Sequence, residues 1–351
     1  MAKKGVIKYI SFMFLLITTL IAIFTLFGLF GGTADPAKGT AMAMLVYILP
    51  FLIAGNIITA VCWAIRRRWH WMAIPVVTLL CCIPYLGTVY QLGVFHNGET
   101  ERSGIKVATY NVALFGRETS GFKALDILAE MKRDNIDILC MQEYLDTSGD
   151  KINSNSYKEY FPYFCFGRSD MIIYSRYPIA RHDVIDFGAT NNSGMWADID
   201  INGRIVRVFN VHLETTGFNG VLHRAAKMEM KGQSVEDNAL ISAIYGNYTR
   251  GMAIRARQAD LVAEEIRQSQ YPAIVCGDFN DVPYSYVYNT MLGDLIDGFK
   301  ECGKGLMYTY TGKKIVRIDY IFHDQQFEGE TYYKTDLTYS DHYPVFMKIL
   351  F

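Results

Sequence analysis

Three long uncharged hydrophobic runs occupy most of the first hundred residues. They extend over residues 9–30, 41–65 and 71–95, and none of them contains Lys, Arg, Asp or Glu. About 20 consecutive apolar residues are enough to cross a bilayer as a helix. Prolines inside the second and third runs are compatible with this, because transmembrane helices tolerate them. The pattern predicts an all-α bundle of three transmembrane helices within residues 1–96.

Two other interpretations fit these runs less well. A cleaved signal peptide has an apolar core of about 7–15 residues, whereas the first run is about twice that length and two more runs follow it. A soluble three-helix core would require a polar face on each helix, and these runs have none.

Basic residues near the runs predict the orientation in the membrane. Lys3, Lys4 and Lys8 precede the first run, and three consecutive arginines, residues 66–68, separate the second run from the third. The loop between the first two runs contains a single basic residue, Lys38. Because basic residues concentrate in cytoplasmic loops, we expect the N-terminus in the cytoplasm. Three crossings then place the larger part of the chain on the other side, facing the periplasm or the cell exterior. We expect an integral protein of a bacterial inner membrane with this domain on the periplasmic side.

From about residue 104 onward, the pattern changes to alternating strand-like and helix-like segments. We expect a short linker, residues 97–103, and then one domain, residues 104–351. Strand-like segments include IKVATYNV, IDILCMQE, MIIYSRYPI and AIVCGDFND, while GFKALDILAEMKRDN and GMAIRARQADLVAEEIRQS have apolar residues at helical spacing. Asn202-Gly203 between two alternating segments is a strong hairpin signal. This mixture predicts an α+β domain, a sandwich of sheets covered by helices.

The N-terminal hydrophobic part and the rest of the chain also differ in charge. Residues 1–98 carry seven Lys and Arg and one acidic residue, whereas residues 99–351 carry 27 basic and 34 acidic residues. Proteins that grip nucleic-acid phosphates usually present a basic surface, so nucleic acid is not the preferred partner. The seven cysteines lack the CxxC or Cys/His spacing of metal sites, and the sequence leaves a disulfide between Cys165 and Cys302 open.

Six of the strand-like segments share one feature: a polar residue ends the apolar run. These polar residues are Asn111, Glu143, His212, Asp278 with Asn280, Asp319, and Asp341 with His342. Each alone has an ordinary explanation as a cap, a turn or an exposed strand end. Together, and all at C-terminal strand ends, they predict a shared site at one edge of the sheets. Carboxylate and amide oxygens without thiols suit a hard cation such as Mg²⁺ or Mn²⁺, which points to metal-assisted attack on a phosphate ester.

The segment GDFND, residues 277–281, can be interpreted either as a turn or as part of a functional site. Gly, Asp and Asn dominate turns for local reasons, and on that ground a turn explains the segment as well as a site does. Side chains at i and i+2 of an extended segment share a face, so Asp278 and Asn280 would converge on one point. The other polar strand ends favour the site.

The ordered set YNV, MQE, NVHLE, GDFND, RIDYIF and SDHYPV resembles the motifs of the endonuclease/exonuclease/phosphatase superfamily. That group includes abasic-site endonucleases, pancreatic-type deoxyribonucleases, neutral sphingomyelinases and inositol-polyphosphate 5-phosphatases. The resemblance covers roughly residues 104–351, and six motifs in the right order make it specific. It implies a four-layer α/β/β/α sandwich, two β-sheets packed face to face with helices outside.

The resemblance also implies metal ligands. Glu143 corresponds to the principal ligand, Asn111 assists it, and Asp341 lies on the metal side. Some nucleases of the superfamily have an acidic residue two places after the Asn of the first motif, where this chain has Ala113. This departure weakens the case for a second metal position and leaves one-metal chemistry through Glu143 intact.

For the chemical step, the resemblance makes His342 the general base, oriented by Asp319. Asp278 would contact or orient the attacking water, and Asn280 would hold the phosphate. His212 would donate to the phosphoryl oxygens or to the leaving group. A positioned base and positioned donors are what attack of water on a phosphate ester requires.

The sequence thus predicts a membrane-anchored, Mg²⁺- or Mn²⁺-dependent phosphoesterase acting on a phospholipid-like or small exported phosphate ester. A nuclease acting on DNA or RNA outside the cytoplasm is the alternative, and a non-catalytic binding domain is a third. Residues 216–250 read as an irregular excursion, either a lid or membrane-facing arm or, more simply, surface packing. Arg255 and Arg257 are expected on a solvated helix face rather than at the substrate phosphate.

Overall fold

The structure is a computed structural model that describes the chain in several stretches. They cover residues 2–93, 104–116, 124–144, 151–168, 170–190, 192–216, 226–228, 230, 237–311, 316–337 and 339–351. The expected linker, residues 97–103, lies outside the described residues, as does most of 217–236 from the expected excursion.

Four helices form the N-terminal part: Ala2–Gly31 (α1), Thr40–Ile65 (α2), Trp69–Cys81 (α3) and Ile83–Val89 (α4). Among the described residues, Gly5–Gly31 and Thr40–Ile65 are long and apolar enough to cross a membrane. The third expected crossing is a bent pair, α3 and α4, which meet at 48° and count as one span only together. Pro84 lies in the first turn after this bend, where its ring and missing N–H disturb helical hydrogen bonding.

Helices α1 and α2 pack closely against each other through small and polar residues. Asn56 Nδ2 donates to Thr25 Oγ1 at 2.7 Å inside the bundle. Gly31 permits the close approach, because a Cβ there would lie 2.4 Å from the Met42 carbonyl oxygen. Small residues and interhelical hydrogen bonds are the usual means by which membrane helices associate, so these contacts suit a bundle in a bilayer.

Two six-stranded mixed sheets follow. Across the first sheet the strands are Ile296–Asp297 (β10), Asp319–His323 (β12), Ala273–Asp278 (β9), Arg204–His212 (β8), Gly194–Ile201 (β7) and Ile179–Ile185 (β6). Across the second they are Glu328–Lys334 (β13), Val345–Leu350 (β14), Gly104–Asn111 (β2), Ile138–Gln142 (β3), Ile172–Ser175 (β5) and Tyr163–Phe166 (β4). One pair in each sheet is parallel, β8 with β9 and β2 with β3.

Helices cover the outer face of each sheet. Ala124–Arg133 (α6) and Lys151–Tyr160 (α7) pack on the second sheet, and Asp237–Arg267 (α8) and Tyr286–Leu292 (α9) pack on the first. Two short helices, Ala113–Gly116 (α5) and Gly298–Cys302 (α10), lie in connections. A separate apolar core, which includes Val107, Val208 and Cys276, fills the space between the sheets. The four-layer sandwich expected from the sequence is confirmed.

The strand boundaries confirm one local prediction and correct another. Asn202 and Gly203, both at positive φ, form the predicted hairpin turn between β7 and β8. The prediction that every polar segment lies at a C-terminal strand end is wrong for Asp319, which begins β12, and for His342, which precedes β14. Both strands run antiparallel to a neighbour that carries site residues, and an antiparallel strand begins where its neighbour ends.

The N-terminal helical bundle is docked onto the sandwich. Directly after α4, Tyr90–Gln91 (β1) pairs with Gly305–Leu306 (β11), so the third helix ends at Val89 and does not continue to residue 95 as expected. Asn289 Nδ2 donates to Gly32 O at 2.9 Å, and Arg317 Nη2 donates to Thr88 O at 2.9 Å. These contacts lie at the end of the bundle opposite the basic loop, residues 66–68.

Two further points concern the cysteines and the excursion. The seven cysteines are free thiols, so Cys165 and Cys302 form no disulfide. Within the described part of the excursion, Met228 and Met230 are exposed, and from Asp237 onward the chain belongs to α8.

Candidate functional site

Neighbouring strands of both sheets bring the polar side chains to one rim. In the parallel pair β8 and β9, His212 lies opposite Asp278, and in the antiparallel pair β9 and β12, Asp278 lies opposite Asp319. In the other sheet Asn111 ends β2, and Glu143 directly follows the parallel strand β3. Asn111 Nδ2 lies 3.1 Å from Asp278 Oδ2, so the two sheets meet at this point.

Gly277 makes the close approach of β8 and β9 possible. It has a φ of 148°, and a Cβ at this position would lie 1.9 Å from the Val211 carbonyl oxygen. No larger residue fits there unless one of the strands moves. The glycine of GDFND is therefore a requirement of strand packing, immediately before a residue that faces the site.

The turn and the site at GDFND, which the sequence left as alternatives, are one structure. Asn280 N donates to Asp278 Oδ1 at 2.8 Å, and Asn280 Nδ2 donates to Leu213 O at 2.9 Å. Asn280 and Glu143 have φ values of 51° and 50°, a region that non-glycine residues seldom adopt. Such backbone conformations cluster at functional sites.

His342 is fixed by Asp319. Its Nδ1 lies 3.2 Å and 3.0 Å from the two carboxylate oxygens, and its Nε2 lies 3.7 Å from Asp278 Oδ2. Burial alone lowers the pKa of this imidazole, but the charges of Asp319 and Asp278 outweigh burial and raise the pKa to about 10. In the absence of a cation the ring is therefore an imidazolium at neutral pH.

His212 is fixed in the same way by Asp170, a residue that the sequence motifs did not identify. Its Nδ1 lies 3.0 Å from Asp170 Oδ2, and its Nε2 lies 3.8 Å from Glu143 Oε1 and 3.9 Å from Asp278 Oδ2. Burial lowers the pKa of His212, but the hydrogen bond to Asp170 and the charge of Asp278 outweigh it and the pKa is raised. Asp170 precedes the apolar run of β5, so a search for acids before strands, as well as after them, would have found it.

Asn111 connects the carboxylates. Its Nδ2 lies 3.1 Å from Glu143 Oε1 as well as 3.1 Å from Asp278 Oδ2, while its Oδ1 accepts the Ala113 N–H at 3.0 Å. In this arrangement Asn111 orients Glu143 through its N–H group. The ligand role expected from the resemblance would use the second lone pair of the same amide oxygen.

Two groups of residues at the rim offer ligand atoms to a cation. Asp278, Asp319 and His342 are buried, and their donor atoms lie within 4.8 Å of one another. Glu143 and Asp341 are only partly buried and line the adjacent cavity. The two groups differ in how readily a cation could reach them. In the first group Asp319 already binds His342. In the second group 38% of the Glu143 side chain is exposed.

The charge of the cavity fits a hard divalent cation. Its lining includes the acids Glu143, Asp170, Glu214, Asp278, Asp281 and Asp341, against Arg168, His212 and His342. A phosphate group that entered alone would meet a predominantly negative wall. Oxygen donors without thiols suit Mg²⁺ or Mn²⁺, and a cation would offset the repulsion between the wall and the phosphate.

The cavity has a volume of about 1220 Å³ and is lined by both polar and apolar side chains. The polar lining includes Glu143, Asp278, Asn280, Asp341 and His342. Aromatic and aliphatic residues form another share of the wall, among them Tyr47, Phe51, Tyr248, Val282, Tyr310 and Ile318. Since Tyr47 and Phe51 belong to α2, the N-terminal helical bundle contributes directly to the wall of the site.

Arg255 does not lie on a solvated helix face, contrary to the prediction, whereas Arg257 does. Arg255 has no exposed surface; its Nε donates to Asp281 Oδ2 at 3.1 Å and its Nη1 to Glu214 O at 2.8 Å. A buried guanidinium needs such a compensating carboxylate. Arg255 therefore supports the segment that carries Asn280 and does not reach into the cavity.

Comparison with known proteins agrees with this architecture. Residues 108–342 match the model of the Endonuclease/Exonuclease/phosphatase family, and residues 11–89 match the model of a domain of unknown function. No curated protein matches the chain.

Several solved structures share the fold. An endonuclease/exonuclease/phosphatase family protein from Bacteroides thetaiotaomicron is 19% identical, with a TM-score of 0.50 over 72% of this chain and 96% of that one. An endonuclease/exonuclease/phosphatase from Beutenbergia cavernae is 18% identical, with a TM-score of 0.50 over 71% and 72%. D. rerio TDP2 in complex with single-strand DNA product is 16% identical, with a TM-score of 0.50 over 71% and 100%.

Proposed function

Since the chain belongs to the Endonuclease/Exonuclease/phosphatase family, whose members hydrolyse phosphate esters, we propose that it is a membrane-anchored phosphoesterase dependent on a divalent cation. One observation carries this proposal. Two histidines, each held through Nδ1 by its own carboxylate, present Nε2 at 3.7 Å and 3.9 Å from the same oxygen of Asp278. Residues 104–351 are then the catalytic domain, residues 97–103 the linker and residues 1–96 the anchor.

Glu143 and Asp341 would hold the cation, with Asn111 beside them. We prefer them to the buried group of Asp278, Asp319 and His342, because Asp319 is already engaged by His342. When bound, Mg²⁺ or Mn²⁺ supplies positive charge that stabilises the phosphoryl oxygens during attack. Ala113, in place of an acid, is consistent with a single ion.

Asp278 and His342 would activate the water. Asp319 fixes Nδ1 of His342, so the neutral ring presents its lone pair at Nε2 beside Asp278. The water oxygen forms a bond to phosphorus while the ester P–O bond breaks, and the proton of the water passes to Nε2 of His342. Proton transfer of this kind contributes about 10²–10⁴-fold to a rate.

His212 and Asn280 would serve the phosphate and the leaving group. Asp170 favours the imidazolium of His212, whose Nε2 donates to a phosphoryl oxygen and then gives its proton to the leaving oxygen. Asn280 Nδ2 is 3.3 Å from Asp278 Oδ2, a weak hydrogen bond that can be exchanged for one to the phosphate.

We further propose that the anchor lies in a bacterial inner membrane with the catalytic domain on the periplasmic side. The sandwich docks on the end of the bundle opposite the arginines at 66–68, and basic loops stay in the cytoplasm. Fusions of alkaline phosphatase and of a fluorescent protein after Phe351 test this. Phosphatase activity without fluorescence is expected, and fluorescence without phosphatase activity would reverse the orientation.

The substrate we propose is a phospholipid-like or other small phosphate ester outside the cytoplasm. The catalytic domain is held at the membrane by its docking contacts, and residues 99–351 carry more acidic than basic residues. The second candidate is a nuclease, because TDP2 with its single-strand DNA product has the same fold. Nucleic acid is disfavoured since the cavity wall is acidic rather than basic.

Hydrolysis by the purified full-length protein in detergent tests the activity. With Mg²⁺ we expect hydrolysis of bis(p-nitrophenyl) phosphate that is lost in EDTA, in Glu143→Gln and in His342→Ala. The matched control is His182→Ala, which changes an exposed histidine of β6 and should be as active as the unmodified protein. If neither this ester nor plasmid DNA is hydrolysed at any Mg²⁺ or Mn²⁺ concentration, the result would favour a non-catalytic binding domain. Cleavage of plasmid DNA, lost in His342→Ala, would select the nuclease.

A further inference from the structure

Two helices contribute aromatic residues to the cavity wall, and one of them, α2, belongs to the N-terminal helical bundle. Tyr47 and Phe51 lie four residues apart on α2, a spacing that places both on one helix face. Phe51 is 77% exposed although it lines the cavity. A site that bound only a cation and a phosphate would have no use for this aromatic wall.

The position of these residues along α2 corresponds to the membrane surface. The 26 residues of α2 have a length of about 39 Å, more than the hydrocarbon thickness of about 30 Å that about 20 residues cross. If Ile65 lies at the cytoplasmic boundary, about 20 residues lead back to Val46. Tyr47 then lies at the opposite interface, where Tyr is favoured, and Phe51 lies about 6 Å deeper.

Helix α8 extends the apolar surface away from the cavity. The Tyr248 ring packs edge-on against the Tyr47 ring, with the centroids 5.5 Å apart. Ile241 and Tyr245 share a helix face with Tyr248 by their spacing, and they are 63% and 55% exposed. The cavity wall at Tyr47 and Tyr248 therefore continues into exposed apolar residues on both helices, Phe51 on α2 and Ile241 and Tyr245 on α8.

The cavity is also larger than a small phosphate ester needs. Its volume of about 1220 Å³ exceeds the roughly 300–1,000 Å³ of pockets for small ligands. A nucleic acid or a water-soluble ester would leave Phe51 in contact with water, and a polyanion would meet the acidic wall. An amphiphile with one phosphate group and an apolar tail matches both the polar and the apolar lining residues of the cavity.

From this juxtaposition, and resting on the proposed function, we infer that α2 is part of the substrate site and that the substrate is a membrane phospholipid. Its phosphate lies at the rim between Asn280 and His212. Its acyl portion leaves the cavity past Tyr47 and Phe51 into the adjacent leaflet. The chemical step is that of the proposed function: water adds at phosphorus, one ester P–O bond breaks, and the leaving oxygen is protonated.

The test uses the full chain in proteoliposomes of phosphatidylethanolamine and phosphatidylglycerol in equal parts, with lipid products followed by ³¹P NMR. Bis(p-nitrophenyl) phosphate is hydrolysed in parallel. For Phe51→Ala, the ratio of the two kcat/KM values, lipid over soluble ester, should fall about tenfold. Phe51→Leu should keep most of the ratio. Phe30→Ala, which changes a phenylalanine of α1 that is 64% exposed and outside the cavity lining, should leave it unchanged.

The outcomes separate this inference from the proposed function. Lipid hydrolysis with a ratio that falls in Phe51→Ala and not in Phe30→Ala supports the inference. Hydrolysis of the soluble ester but of neither phospholipid overturns the inference and leaves the phosphoesterase intact. Lipid hydrolysis with the same ratio in Phe51→Ala shows that α2 is not part of the site, and also overturns it. Hydrolysis of neither substrate with Mg²⁺ or Mn²⁺ overturns the proposed function itself.

Discussion

The hydroxyl of Tyr47 on α2 lies 2.5 Å from Oδ1 of Asp281, the residue directly after Asn280. Arg255 completes the contact, with its Nε 3.1 Å from Asp281 and its Nη2 3.3 Å from the Tyr47 hydroxyl. A helix of the N-terminal bundle and a segment of the candidate site thus share one buried polar group. The geometry of the site is therefore coupled to the position of this helix.

Removal of the Tyr47 hydroxyl tests this coupling. Tyr47→Phe deletes one hydrogen bond to a buried carboxylate, which should lower the free energy of unfolding by about 1–3 kcal/mol. Thermal unfolding in detergent, followed by circular dichroism, measures the loss. Tyr9→Phe, at a tyrosine that is 66% exposed, is the control and should leave the unfolding temperature unchanged. Equal unfolding temperatures for both variants and the unmodified protein would show that the contact is not formed.

Asp170 is a positioning residue for His212. Asp170→Asn removes the charge that raises the pKa of His212, so His212 should titrate at lower pH in an NMR titration. Loss of the charge-assisted hydrogen bond should reduce kcat by about ten- to a hundredfold. Asp183→Asn, at an exposed carboxylate of β6 outside the cavity lining, is the matched control. An unshifted His212 titration together with full activity would remove Asp170 from the site.

A bound cation should lower the pKa of His342. The charges of Asp319 and Asp278 hold this pKa at about 10 in the cation-free protein, and a divalent cation beside them offsets their effect. NMR titration of the His342 ring should therefore show deprotonation at lower pH with Mg²⁺ than with EDTA. Glu143→Gln, which weakens the expected cation site, should abolish the difference. A pKa that rises with Mg²⁺ would contradict the assignment.

The raised pKa of His342 predicts that the stability of the folded protein in EDTA depends on pH. The folded-state pKa of His342, about 10, lies above the ordinary value of 6.5. Its contribution to stability is therefore complete below about pH 6.5 and is lost as the pH rises through about 10. The difference in unfolding temperature between the unmodified protein and His342→Gln should shrink over that range. A difference that grows with pH would mean that His342 is neutral in the folded protein.

Gly277→Ala should disturb the alignment of β8 and β9. The new Cβ would lie 1.9 Å from Val211 O, and we expect a loss of about 1–3 kcal/mol from overpacking together with strongly reduced hydrolysis. Gly203→Ala is the control, because Gly203 also has a positive φ, of 92°, but has nothing within 4 Å of its added Cβ. Similar losses in both variants would attribute the effect to backbone strain rather than to strand packing.

Much of the candidate site could be predicted because its residues follow local rules. Asp278 and Glu143 come directly at or after apolar strands, and the hairpin at Asn202-Gly203 depends only on turn chemistry. Six such segments in order were enough to identify the family and the sandwich. Two local predictions are wrong: Asp319 begins a strand and His342 precedes one, although both are expected at C-terminal strand ends. A short segment does not reveal the direction of its neighbour.

Other members of the site are set by contacts that no local pattern encodes. A local search finds Asp170 as an acid beside a strand, but its partner His212, 42 positions away, is identified only by the structure. Arg255 has the helical spacing of a surface residue, yet it is buried because Asp281 compensates its charge. In both cases a partner distant in the chain decides the role of the residue.

The sequence by itself determined where the chain is apolar enough for a membrane, which family the remainder belongs to, and which residue types meet at the rim. These follow from hydrophobic periodicity and turn chemistry, which act over a few neighbouring residues. Only the tertiary structure decided that α2 closes one wall of the cavity, through a hydrogen bond between residues 234 positions apart. The docking of the helical bundle on the sandwich depends on the shape and polarity of two whole surfaces. Residues from many segments form each surface, so no local pattern predicts the contact.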